Sequence, residues 1–257
     1  MTGRAATDRT PGSAGRQRPR GRADAEQRRD KWIGPRDARI RLRYGHVEIP
    51  WTVGPRSDFD VLNEVLVLKV YGPAPAPAEP RTILDLGSHM GASVLFWRER
   101  FPYARIIAVE PDPTSFRRLR RNVGSLPGVD LRNTAIAEED GVVQFFPARQ
   151  GWVSSLWGEG QSVTVEGRRF RSLIGEIGQV DVLKVDIEGA EPWICDDWAL
   201  ERVGAIVGEY HHSGDHKALG QFMSQLGKHF DLSVGHTASF IAFSGCASAS
   251  AGVRGDG

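Results

Sequence analysis

The chain has 257 residues, 40% of them apolar and 25% charged, and its formal net charge is +1. These values suit one α/β domain of a soluble protein with short extensions, and they give no reason to expect a nucleic-acid surface. Two cysteines, Cys195 and Cys246, make no disulfide framework. No apolar run nears the roughly 18 residues of a membrane span, and no apolar signal-peptide core opens the chain, so a reduced, cytoplasmic setting away from membranes is expected.

Residues 1–36 are rich in Arg, Gly, Ala and Pro and almost lack large apolar side chains. They cannot bury enough surface to offset chain entropy and are expected to be a disordered, solvated basic tail. A small cap is expected over 37–71. In it, Ile40 to Trp51 alternates apolar and polar residues as a hairpin turning at Gly45, and a helix starting at Asp58–Asp60 runs from Val61 to Tyr71. Residues 72–80, with Pro at 73, 75, 77 and 80, read as a stiff linker to the main body, 81–244.

The body alternates strand and helix as parallel sheets do. Strands are expected at Thr82–Leu86, Arg105–Glu110, Val129–Asn133, Val180–Asp186 and Val203–Glu209. Helices are expected at Ala92–Arg100, from Pro111–Thr114 onward, at Phe170–Ile177 and at Asp215–Leu226. Val142–Phe146 and Ser162–Val165 are extra β segments. Phe230–Val234 and Ser239–Phe243 close the body as an antiparallel hairpin before a small-residue tail, 245–257.

Ligand chemistry concentrates after the first body strand. Asp85-Leu-Gly87-Ser88-His89-Met-Gly91 is a Gly-rich turn between strand and helix, and Glu110 ends the next strand, where an acid can hold two ribose hydroxyls. A dinucleotide loop needs a middle glycine for its pyrophosphate. This loop has none, and Asp85 would repel a phosphate. S-adenosylmethionine (SAM) has no phosphate and carries an ammonium, so the D-x-G-x-x-x-G pattern favours it.

Asp85-to-Gly91, Ala108-Val-Glu-Pro-Asp-Pro113, Asn133-to-Ala137 and above all Lys184-Val-Asp186-Ile-Glu188-Gly-Ala-Glu191 resemble the FkbM family of SAM-dependent methyltransferases, as does Ser57 to Val65. The resemblance covers roughly 55–244. It implies a doubly wound, mostly parallel seven-stranded sheet with a C-terminal antiparallel hairpin strand. It also implies transfer of a methyl group from SAM to a hydroxyl of a small-molecule acceptor, natural-product or sugar-like. Asp85, Gly87, Ser88 and Gly91 would surround the methionine part of SAM, Glu110 the ribose, and Asp112 with the Asn133–Ala135 region the adenine.

Catalysis requires a group to take the hydroxyl's proton, and His211, His212 or Asp186 can do so at the end of the fourth or fifth body strand. Lys184 is a rare Lys inside an apolar run, with Asp186 or Glu188 as its partner. The leading version uses no metal. In the second version Asp186, Glu188, Glu209 and His211 or His212 converge on Mg²⁺, Mn²⁺ or Fe²⁺. His89 can reach a substrate from the loop, and the insert with Trp152 and Trp157 reads as a lid to which Trp193 and Trp198 add. The rival readings are an NAD-dependent oxidoreductase, which would need the missing glycine and a Tyr-x-x-x-Lys pair, and a non-enzymatic interaction module contacted through the basic tail.

Overall fold

The computed structural model describes residues 38–54, 56–72, 74–147, 161–211, 216–236 and 241–248. The chain opens with a hairpin, β1 (Ala38–Tyr44) and β2 (Val47–Val53), antiparallel about Gly45. Helix α1 (Arg56–Leu62) follows, with the buried Asp58 Oδ2 accepting from the Gly54 amide at 2.6 Å. The expected helix over Val61–Tyr71 is instead the end of α1 and one widened π turn, Asn63–Val67, closed by Leu68 N donating to Asn63 O at 2.9 Å. This turn buries Val65 and Leu66 and leaves Val67 and Leu68 exposed, so apolar spacing alone did not reveal it.

The main sheet has seven strands in the order β11-β12-β10-β9-β3-β4-β5. These are β3 (Thr82–Leu86), β4 (Arg105–Val109), β5 (Val129–Arg132), β9 (Val182–Val185), β10 (Ala205–Tyr210), β11 (Phe230–His236) and β12 (Ile241–Ala247). The five from β10 to β5 are parallel, and β12 runs antiparallel to both β10 and β11. The strands are shorter than the apolar runs suggest, so Glu110 and Asp186 lie just beyond β4 and β9. By contrast, β12 continues through Gly245, Cys246 and Ala247, where a tail was expected. Small residues suit that place between β10 and β11: a Cβ on Gly245 would lie 2.9 Å from Asp231 O.

Alternation along β3 sorts side chains to the two faces. Ile83 joins one core with α2 (Ala92–Arg100) and α3 (Pro113–Val123). Leu84 and Leu86 join the other, with α4 (Phe170–Ile177), α5 (Asp197–Leu200) and α6 (His216–Leu226). The N-terminal hairpin is not a body apart, because Trp51, Val53, Tyr71 and Ala74 lie in the same cluster as Ile83 and Trp97. The Pro-rich segment lies against the body, with Arg100 Nη1 donating to Gly72 O at 3.0 Å. The extra β segments, β7 (Gly141–Phe145) and β8 (Val163–Arg168), join β6 (Thr134–Ile136) in a separate sheet, order β6-β8-β7. Among the described residues no helix is long and apolar enough to cross a membrane.

Candidate active site

Strand order reverses between β3 and β9, and open parallel sheets bind ligands at the carboxyl ends of strands beside such a reversal. Asp85 on β3 and Lys184 on β9 are register neighbours there. Asp85 is wholly buried, and neither carboxylate oxygen accepts a hydrogen bond; Lys184 Nζ stands 3.5 Å away. Lys184 donates to Leu86 O at 3.1 Å and Gly87 O at 2.6 Å, and it lies 3.4 Å from Asp186 Oδ2 and 5.3 Å from the centre of the Tyr71 ring. Burial pulls its pKa down, but Asp186, Asp85 and Glu209 more than offset that and leave it above the ordinary lysine value. Lys184, expected among the catalytic groups, is held here as a buried cation against the loop carbonyls.

The loop itself needs its glycines. Gly87, His89 and Gly91 all have positive φ, and a Cβ on Gly87 would fall 1.7 Å from Asp186 O. The Gly87 and Ser88 amides both donate to Val109 O at 3.0 Å, and Ser88 Oγ donates to Asp85 O at 2.9 Å. Glu110 ties this loop to the next: Oε2 accepts from the His89 amide and Oε1 from the Asp112 amide, each at 2.8 Å. Burial pushes the Glu110 carboxyl up to about 8. Asp112 caps α3, with Oδ1 accepting from Thr114 N at 2.7 Å. Asn133 Nδ2 donates to Glu110 O at 2.7 Å and Pro111 O at 3.0 Å. Glu110, Asp112 and Asn133 thus form one wall. The side chain of Ala135 is not part of it, because it packs with Phe145 and Val165 in the core of the small sheet.

The opposite wall is acidic. Asp186 Oδ2 accepts from Tyr71 Oη at 3.1 Å. Glu188 has φ +50 and Gly189 φ +96, which curl the chain back after β9. The fully buried Glu191 accepts from the Gly189 amide through Oε2 at 2.9 Å, and its Oε1 is 2.9 Å from His211 Nδ1. His211 Nε2 then faces Glu188 Oε2 at 3.6 Å, Glu209 Oε2 at 3.6 Å and Asp186 Oδ1 at 3.9 Å. One ligand-type atom from each of Asp186, Glu188 and His211 lies within 4.8 Å of the others. Glu209, also expected in a metal set, adjoins that triad.

Charge crowding shapes these groups. Burial raises Glu209 to about 8, aided by Asp186 and Glu64, and raises Glu188 to about 7. Burial also raises the carboxyl of Glu64, on the π turn, and Asp186 adds to this. Burial disfavours the charged form of Asp186, yet Lys184 and His211 bring its pKa below the ordinary value. Burial opposes a charged His211, but the Glu191 hydrogen bond and the Asp186 and Glu188 charges carry it up to about 9. At neutral pH the ring of the protein alone is therefore an imidazolium, a donor rather than a base. Burial lowers the pKa of His89 instead.

Tyr71, Glu64 and Glu191 had no assigned role in the sequence reading. Glu191 ends the Lys184-to-Glu191 motif, but no local signal pairs it with a ring 20 residues away. Trp198 lies between the Arg171 and Arg202 guanidiniums, 4.8 and 3.7 Å from its ring centre, and Trp193 packs on the second core. His212, Trp152 and Trp157 lie outside the described residues.

Residues 85–230 match the family model described as the methyltransferase FkbM domain. The chain is 28% identical over 156 residues to Methyltransferase 1 of Beauveria bassiana, covering 50% of this chain and 62% of that protein. It is 27% identical over 130 residues to 2-O-methyltransferase NoeI of Sinorhizobium fredii, covering 42% and 54%. It is 28% identical over 155 residues to hexuronic acid methyltransferase AglP of Haloferax volcanii, covering 57% and 63%. The match spans less than two thirds of each of these relatives. Among solved structures, the O-methyltransferase of Bacillus cereus in complex with SAH is 14% identical with a TM-score of 0.43, over 73% of this chain and 90% of that one.

Proposed function

Because the chain belongs to the FkbM methyltransferase family, we propose that it transfers a methyl group from SAM to a hydroxyl of a small-molecule acceptor, natural-product or sugar-like. The observation that carries this reading is the glycine loop at the strand reversal, where Gly87 and Gly91 turn at positive φ beside the buried Asp85 and Glu110 ties the loop to the next strand. A loop with an acid beside it and no middle glycine disfavours the pyrophosphate of a dinucleotide, and SAM brings no phosphate.

Asp85, Gly87, Ser88 and Gly91 would hold the methionine part, Glu110 the ribose, and Asp112 with Asn133 the adenine side. When bound, SAM supplies a methyl group activated by a sulfonium. The chain's residues supply alignment and proton removal. The rim of Asp186, Glu188, Glu209 and His211, at the carboxyl ends of β9 and β10, draws off the acceptor's proton. His211 is able to take one only when further positive charge shares the crevice and lowers its pKa. The printed names of two relatives make hydroxylated sugars the first acceptors to try. The two free cysteines support a reduced, cytoplasmic setting.

Calorimetric titration with S-adenosylhomocysteine (SAH), with NAD⁺ in parallel, tests the reading. Micromolar SAH binding that is lost in Glu110→Ala, followed by labelled methyl transfer to a hydroxylated acceptor, is the expected result. Binding of NAD⁺ alone, or of neither ligand with and without Mn²⁺, overturns it.

A further inference from the structure

We propose that Asp186, Glu188 and His211 form a binding site for one octahedral divalent cation, Mg²⁺ or Mn²⁺. This deepens the methyltransferase reading and rests on it for the cation's purpose: a cation there lowers the pKa of an acceptor hydroxyl set against it. The binding itself stands on separate observations.

Two carboxylates and an imidazole converge so that one donor atom of each lies within 4.8 Å of the others, a donor set suited to such ions. The ring is aimed at that point. Nδ1 is 2.9 Å from Oε1 of the fully buried Glu191, so Nδ1–H donates there and leaves Nε2 as the ligating atom. A carboxylate behind the distal nitrogen is how proteins orient a metal-binding histidine.

The spacing around Nε2 points the same way. The carboxylates of Glu188, Glu209 and Asp186 stand at 3.6, 3.6 and 3.9 Å, all beyond hydrogen-bonding distance.

Glu209 supplies an independent observation. Its side chain is only 9% exposed, and among the described residues it makes no hydrogen bond; its one ion contact is His211. Glu188 Oε2 is likewise buried without a hydrogen-bond partner. Buried carboxylates left this way call for a cation. The nearby lysine lies 3.4 Å from Asp186 Oδ2, but it also offsets Asp85 and donates to Leu86 O and Gly87 O, and among the described residues it pairs with neither Glu188 nor Glu209. Tyr71 Oη, the remaining polar group on Asp186, is neutral.

The test titrates MnCl₂ into the full-length, EDTA-treated protein, with free Mn²⁺ followed by electron paramagnetic resonance and no SAM or acceptor present. One Mn²⁺ per chain is expected, displaced by Mg²⁺ and weakened at least about tenfold by Glu188→Gln and by His211→Gln. Thermal transitions close to wild type establish that both variants fold. In the wild-type protein, Mn²⁺ should broaden the His211 ring resonances before those of the other histidines, a result that needs no variant. Absence of stoichiometric binding, binding unaltered in both variants, or no selective broadening at His211 overturns the proposal. SAH titration of the same samples separates the two readings: SAH binding without Mn²⁺ binding sinks the cation site alone, and Mn²⁺ binding without SAH binding sinks the cofactor reading alone.

Discussion

Replacing Glu191 by Gln should lower the pKa of His211 by roughly one to two units in the metal-free protein. The displacement from 6.5 to about 9 corresponds to roughly 3 kcal/mol favouring the imidazolium. Burial opposes that charge, and the Glu191 hydrogen bond is the largest of the causes that favour it. A hydrogen bond to a charged group contributes about 1.5–3 kcal/mol, and each pKa unit is about 1.4 kcal/mol, which sets the expected drop. Asp186 and Glu188 remain in the variant and keep the ring above 6.5. Gln keeps an oxygen to accept from the Gly189 amide, so the turn after β9 survives. The assay is an NMR titration of the His211 ring. Stability follows with a definite sign. A histidine whose folded pKa is raised stabilises fully below 6.5 and loses that contribution as pH rises through about 9. The raised carboxyls of Glu188, Glu209 and Glu110 act in the same direction between about 4.5 and 8. Urea midpoints of the wild type should thus fall from mildly acid to alkaline pH, with the part above neutrality reduced in the variant. A wild-type His211 that titrates near 6.5, or a pKa unchanged by Glu191→Gln, refutes the reasoning.

Gly87→Ala should destabilise by about 1–3 kcal/mol and abolish SAH binding, because a Cβ cannot sit 1.7 Å from Asp186 O at positive φ; thermal unfolding and calorimetry read both effects. Lys184→Met should cost about 3–5 kcal/mol in urea denaturation at neutral pH, since it leaves Asp85 buried without its cation, and a cost below about 1 kcal/mol would refute that pairing. Tyr71→Phe removes the donor to Asp186 and should cost about 1 kcal/mol of stability, with SAH affinity changed less than threefold; a large loss of affinity would place Tyr71 in the cofactor site instead.

The loop from Asp85 to Gly91 and the acid at Glu110 were legible because their chemistry is local: a strand, glycines at positive φ and an acid at a strand tip are written in consecutive residues. The C-terminal hairpin was legible as two strands, but its extent was not. Gly245 to Ala247 look like a tail by composition and are strand because β10 and β11 supply partners for their backbone. The π turn and the burial of Ala74 within the Pro-rich segment were missed for the same reason, since packing in the cluster around Trp97 decides them. The packing of the Ala135 side chain was not legible, because one residue beyond Asn133 the chain enters a second sheet.

By itself the sequence determined most of the order of strands and helices, though not β6 or α5, together with the glycine loop and the Lys184-to-Glu191 motif, because periodicity and turn chemistry act over a few residues. Only the tertiary structure decided that Lys184 is a pinned cation, that Tyr71 reaches Asp186 across 115 positions, and that Glu191 orients His211 toward three carboxylates. Parallel strands far apart in the chain end at the same rim, and the charges that meet there set one another's protonation.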